Sequence, residues 1–179
     1  MVYDLARVAE LLHQRNTIDE QITQIIKRPV ASGHLGEWIA AWVFDIELET
    51  SASTAAVDGR FLTGKLQGRT VNIKWYLKRE GLLDMTTADV PDYYLVMTGP
   101  AGPAASSRGG SRLWRIDNVY LFDARQLLSD QLARGVKVGV ASSVPQSWWK
   151  AAEIYPTAND AVLAVSREQA AMLALFRPR

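Results

Sequence analysis

Residues 55–79, AAVDGRFLTGKLQGRTVNIKWYLKR, decide the fold class. The run opens with AAVDGRFL, crosses a polar stretch from Lys65 to Gly68 that reads as a turn, and continues as RTVNIKWYL. The second arm is dense in β-branched and aromatic side chains, which fit a pleated, half-buried surface, so the segment predicts a β-hairpin or meander. Within that arm Asn72 and Lys74 stand two apart and share one face of the strand.

Upstream, Leu35, Trp38, Ile39, Trp42, Val43 and Ile46 recur at helical spacing and predict a third helix opened by Ser32-Gly33, with one continuous buried stripe. Before it, Leu5, Val8, Ala9 and Leu12 mark a first helical stretch. A Thr17-Ile-Asp-Glu20 capping-box pattern opens a second, carrying Ile18, Ile22, Ile25 and Ile26 and stopped by Pro29. Downstream, Pro91-Asp92 precedes a strand YYLVM, and the Gly/Pro/Ser-rich run from Gly99 to Gly110 predicts a mobile loop. LWRIDNVYLF then reads as a strand, Ala124–Arg134 as a helix, Val136–Ala141 as a strand and Gln146–Ala152 as a short helix or turn. AVLAV reads as a strand or extended piece, and a capping box at Ser166–Gln169 opens a closing helix through Leu175. This mixed order predicts an α/β fold, a central mixed β-sheet flanked by helices with an N-terminal helical segment. One domain over 1–179 is expected, divided into N-terminal helices (1–28), a core (33–98), a flexible loop (99–111) and the remaining strands and helices (112–179).

The chain has 179 residues, 48% of them hydrophobic, and its 20 Lys and Arg against 19 Asp and Glu leave a formal charge of +1. A chain of this length buries roughly 70% of its unfolded surface and holds one core without covalent staples. The absence of cysteine excludes disulfides, thiolate metal sites and a cysteine nucleophile, and two histidines are too few for an imidazole-rich zinc site. The longest apolar stretch, Trp38 to Phe44, falls far short of the ~20 residues that cross a bilayer, and the acidic residues in MVYDLARVAELLHQR do not suit a signal peptide. No membrane association and a cytoplasmic location are therefore expected. No phosphate-binding G-x-x-x-x-G-K-[ST] loop, dinucleotide G-x-G-x-x-G or G-x-S-x-G elbow is present, which disfavours nucleotide-cofactor enzymes and serine hydrolases.

Three polar residues interrupt apolar surroundings: Glu37 on the third helix, Asp58 at the hairpin and Lys74 in TVNIKWY. Carboxylates that hold one or two Mg²⁺ ions, with a lysine that orients or deprotonates the attacking water, are the parts of metal-assisted phosphodiester hydrolysis. Each residue also has a plainer reading. Glu37 lies nearly opposite the centre of the Leu35/Ile39/Val43 stripe and suits a solvated face, although Ala40, Ala41 and Phe44 share that side. Asp58-Gly59 is a strong turn dipeptide, and Lys74 suits the polar face of an alternating strand. His34, near a helix start, suits a cap. The segment from Lys74 to Arg79 interleaves Lys74, Lys78 and Arg79 with Trp75 and Tyr76, a pattern that grips phosphates and stacks on bases, and Arg60, Lys65 and Arg69 add local charge. Trp148, Trp149 and Tyr155 read as core or interface before a stacking surface.

GHLGEWIAAWVF, VDGRFL and GRTVNIKWYLKREG, covering roughly residues 33 to 81, resemble the PD-(D/E)XK, or restriction-endonuclease-like, nuclease superfamily. In that family a glutamate-bearing helix precedes a β-meander carrying the aspartate and the (D/E)-x-K strand. The resemblance implies a restriction-endonuclease-like fold and a hydrolase that cuts phosphodiester bonds of DNA with Mg²⁺ or Mn²⁺. Glu37 and Asp58 are then the metal ligands, Lys74 the catalytic lysine, and Asn72 a positioning group at the catalytic site. Lys78, Arg79, Trp75, Tyr76 and Arg60 become the substrate-binding set. Asn72 departs from the motif, which has Glu, Asp or sometimes Gln there. An amide oxygen ligates Mg²⁺ only neutrally, so the site either keeps its metal through Glu37, Asp58 and a backbone carbonyl or is weakened. The partner expected is nucleic acid, DNA before RNA, with a homodimer left open. The alternative is a non-catalytic nucleic-acid-binding or protein-interaction module on the same fold.

Overall fold

The computed structural model describes residues 2–50, 56–102, 112–159 and 162–178. Its first element, α1 (Val2–Ile26), is one uninterrupted helix rather than two. Nothing between Gln14 and Asn16 breaks a helix, and Thr17 does not cap a new one: its Oγ1 donates to the His13 carbonyl one turn back, at 3.1 Å. The helix ends where Lys27 turns left-handed (φ 58°), two residues before Pro29.

α2 (Ser32–Phe44) starts where the sequence places it, but its buried face is Gly36, Ile39, Ala40, Val43 and Phe44. The expected stripe is thus rotated, and Trp42 lies exposed, its ring 5.9 Å from that of Trp38 along the outer flank. Gly36 explains the rotation. A Cβ there would stand 2.9 Å from the Trp75 Cβ, so the missing side chain lets the helix lie directly on the sheet. Asp45 closes α2 in the left-handed region (φ 51°), and Ile46, expected on the helix, begins a strand.

Strands β1 (Ile46–Leu48), β2 (Gly59–Phe61) and β3 (Thr70–Tyr76) form the expected meander, antiparallel throughout, with a 3-10 turn at Gly64–Leu66 in the second connection. β4 (Leu82–Leu83) leaves the sheet, and β5 (Tyr93–Thr98) returns parallel to β3, with Val71 beside Tyr93 and Tyr76 beside Thr98. β6 (Asn118–Asp123), α3 (Ala124–Ala133), β7 (Ser142–Ser143), α4 (Gln146–Ala152), β8 (Glu153–Tyr155) and α5 (Arg167–Ala174) follow. The mixed six-stranded sheet has the order β1-β2-β3-β5-β6-β8, and β4 pairs with β7 apart from it.

The central strands feed two cores. Val71, Ile73, Trp75, Leu95, Met97, Val119 and Leu121 point to the side covered by α2 and α5, where Leu173 is fully buried. Tyr94, Val96, Tyr120 and Phe122 point to the other side, against Leu127 of α3 and Trp149 of α4. Burial on both faces turns the central strands into near-continuous apolar runs.

Three other expectations are corrected. Residues 136–141 form no strand, because Ser142 Oγ bonds both the amide and the carbonyl of Gly139 at 2.8 Å and curls the chain before β7. LWRIDNVYLF is a strand only from Asn118; before it Ile116 packs into the core as irregular chain. The tail residues 162–165 are not a strand, whereas α5 has the expected capping box at Ser166. Of the expected mobile loop, residues 103–111 lie outside the described residues. Residues 99–102 run in register with the end of β3: Gly99 N–H donates to Tyr76 O at 2.8 Å and Gly102 N–H to Arg79 O at 3.1 Å. No described helix is long and apolar enough to cross a membrane.

Candidate functional site

β2 and β3 part company at Asp58. Its amide donates to the Val71 carbonyl at 2.9 Å, the last backbone bond between the two arms, and its side chain then takes over. Asp58 Oδ2 accepts from the Ile73 amide at 2.6 Å, replacing the next residue of a strand that has already turned away. The carboxylate is pinned to β3 midway between Asn72 and Lys74.

Burial pushes the Asp58 carboxyl above its ordinary pKa. The Ile73 bond opposes that shift, the nearby Glu37 carboxylate adds to it, and the Lys74 and Arg28 cations oppose it. Four charged groups from four segments therefore share one neighbourhood: Glu37 from α2, Asp58 from the hairpin, Lys74 from β3 and Arg28 from the turn after α1. Gly36 sets this arrangement, because the close contact of α2 with Trp75 carries Glu37 down to the sheet. Glu37 is half-buried and ion-paired to Arg28, not solvated.

Asn72 is 5% exposed. Its Nδ2 donates to the Ala56 carbonyl at 3.1 Å, while its Oδ1 is buried and has no hydrogen-bond partner among the described residues. An orphaned buried acceptor costs on the order of 1–3 kcal/mol, so it calls for a donor beyond those the described residues offer. The Ala56 backbone, held by this bond, is left-handed (φ 75°), a region a non-glycine residue seldom adopts. The donors the fold brings together for a hard cation are the Glu37 and Asp58 carboxylates, and such an oxygen-only pair fits Mg²⁺ or Mn²⁺.

The substrate-binding set does not assemble as the sequence suggested. Strand alternation sends Trp75 and Tyr76 to opposite sides of a sheet covered on both. Trp75 is a core residue whose Nε1 donates to the Arg115 carbonyl at 3.2 Å. The Tyr76 hydroxyl accepts from the Asp84 amide at 3.0 Å, and burial pushes its pKa far up. Arg79 lies with its guanidinium 5.9 Å from the Tyr120 ring centre and 5.7 Å from that of Trp149, and it donates to Gln146 Oε1 at 2.7 Å. Arg60 turns outward to Glu49, 3.6 Å away. Lys78 stays near the site's strand, 3.6 Å from Glu80, and with Arg112 it lines a cleft of about 330 Å³ at the end of β3. His34 Nδ1 lies 2.8 Å from the Pro29 carbonyl, ahead of α2, so it ties the preceding turn to the helix rather than capping it. Trp149 and Tyr155 are buried in the two cores.

No family model and no curated protein matches the chain.

Two members of the cluster escaped the sequence reading. Arg28 sits beside a helix-stopping proline and looks like ordinary turn charge; only the fold brings it to Glu37. The Ala56 carbonyl carries no sequence signal at all. Gly36 does, through the Gly-x-x-Gly-Glu run, although its partner Trp75 lies 39 residues away.

Proposed function

We propose that this protein is a metal-dependent nuclease-like hydrolase that resembles the PD-(D/E)XK superfamily and cuts phosphodiester bonds of DNA with Mg²⁺ or Mn²⁺. The observation that carries this reading is the burial of Asp58 beside Glu37 and Lys74, where β2 and β3 diverge. A desolvated carboxylate with a second one nearby gains from a cation, and the order of elements agrees: a glutamate-bearing helix, then an antiparallel meander bearing the aspartate and the lysine strand. That order supports a restriction-endonuclease-like version of this α/β fold.

Glu37 and Asp58 would hold the cation, and Asn72 would position a ligand or water. When bound, the cation stabilises the negative charge that builds on the phosphoryl oxygens. Lys74 orients the attacking water, whose oxygen bonds to phosphorus as the bond to the leaving sugar oxygen breaks and that oxygen gains a proton. Lys78 and Arg112 hold neighbouring phosphates. The test is cleavage of plasmid and single-stranded DNA in Mg²⁺ or Mn²⁺. The wild type cuts, and Asp58→Ala and Lys74→Ala each slow cutting by at least about 100-fold. A wild type that leaves both substrates intact, or variants that cut at its rate, overturns the proposal.

A second reading keeps the fold and drops the chemistry. The Arg28 ion pair on Glu37 favours it, as does Asn72 at the position of a carboxylate, because the protein's own groups then meet both acidic side chains. Such a module retards nucleic acid or a protein partner in a gel equally with and without EDTA.

A further inference from the structure

Every described residue of α1 from Tyr3 to Ile18 is exposed. The helix meets the body only in its last turns, where Ile22 is half-buried and Ile26 buried. The projecting part is nonetheless apolar: Leu5 is 71% exposed, Val8 52%, Leu11 46% and Leu12 52%. An isolated helix of this length is marginal in water, and aliphatic side chains at this density call for a cover.

The pattern continues the seated face. Leu5, Val8 and Leu12 are followed by Arg15 and Asp19, then by Ile22 and Ile26, at alternating steps of three and four, the spacing of a helix–helix seam. The lower part of this seam meets the body, where Ile18 and Ile22 border a groove of about 500 Å³ with Leu35, Ile39, Trp75 and Phe176. The upper part, Leu5, Val8 and Leu12, runs on beyond the body and is exposed.

We propose that the outer half of α1 is a homodimerisation arm, packed antiparallel against the same arm of a second copy. Charge selects the direction. Arg15 pairs with Asp19 one turn on, at 3.5 Å, but a parallel pair still sets Arg15 against Arg15 and Asp19 against Asp19, which costs affinity through like-charge contact. An antiparallel pair with its twofold axis level with Ala9 and Glu10 sets Val8 of each arm against Leu11 and Leu12 of the other. It also brings Asp4 level with Arg15, twice by symmetry. Leu5, Val8, Leu11 and Leu12 present roughly 400 Å² per arm, and with the stems of flanking residues two arms remove roughly 1,000 Å² from water, the lower end of specific interfaces. An interface of that size belongs to weak, reversible association. The inference rests on the arm alone and stands apart from the proposed activity.

Sedimentation equilibrium of the whole chain between about 1 and 100 µM tests it. The wild type moves from a species of 19.9 kDa to one of twice that mass. Val8→Glu/Leu12→Glu weakens the dimer at least about 10-fold. Asp4→Arg and Arg15→Asp each weaken it, and the two together restore it. A monomeric wild type at the highest concentration overturns the proposal. So does a dimer indifferent to Val8→Glu/Leu12→Glu, or a charge swap that fails to restore what each single change removes.

Discussion

Asp58 and Asp92 answer burial in opposite ways. Burial raises both, but Asp92 accepts from the Thr70 amide and hydroxyl at 2.9 Å each and lies near Arg69 and Arg125, so its carboxyl ends below the ordinary value of 3.8. A depressed folded-state pKa stabilises above the unfolded value and is lost as pH falls through the folded one. Asp92→Asn therefore lowers Tm at pH 7, and the gap to wild type closes as pH drops below about 4. Asp58 has the reverse sign. Its raised carboxyl favours folding only while protonated, and that contribution disappears as pH rises through the folded pKa. Asp58→Asn keeps an acceptor for Ile73 and removes the buried charge. In EDTA at pH 7 it melts higher than wild type, and the difference vanishes in acid. Thermal melts across pH measure that difference.

Among the elements, the capping boxes at Thr17 and Ser166 look alike in sequence and differ in the fold. Ser166 accepts from the Gln169 amide at 3.1 Å while Gln169 Oε1 accepts from the Ser166 amide at 2.9 Å; Thr17 lies inside a continuous helix. Ser166→Ala costs about 1 kcal/mol, and Thr17→Ala at most about half of that, as denaturant titration will register. At the α2–β3 contact, Gly36→Ala forces a methyl against the Trp75 Cβ and costs about 1–3 kcal/mol, a fall in Tm of several degrees. Periodicity found α2, β3, β5, α3 and α5 because each has enough residues for its pattern to repeat. β1, β7 and β8 are only two or three residues long, and they are strands because a neighbour offers an edge, which no local pattern records. The rotated face of α2 was hidden for a related reason: a glycine ranks as apolar nothing on a helical wheel, yet it sets which side touches the sheet.

At the scale of the molecule, the α/β class followed from the mixed order of elements and the antiparallel meander from the 55–79 stretch. The parallel return of β5 did not, since it depends on a connection that carries no long helix. For the site, Glu37, Asp58 and Lys74 were legible as polar residues in apolar runs, and the fold gives Asp58 charged neighbours in Glu37, Lys74 and Arg28. The aromatic and basic run after Lys74 misled, because a strand buried on both faces spends Trp75 and Tyr76 on two cores. The central claim is that Glu37 and Asp58 form a cation site at the β2–β3 divergence. Isothermal titration of Mg²⁺ and Mn²⁺ into metal-free wild type and Asp58→Ala tests it most directly. Saturable binding by wild type, lost in Asp58→Ala, is the predicted result; no binding at millimolar cation, or equal binding by both proteins, contradicts it.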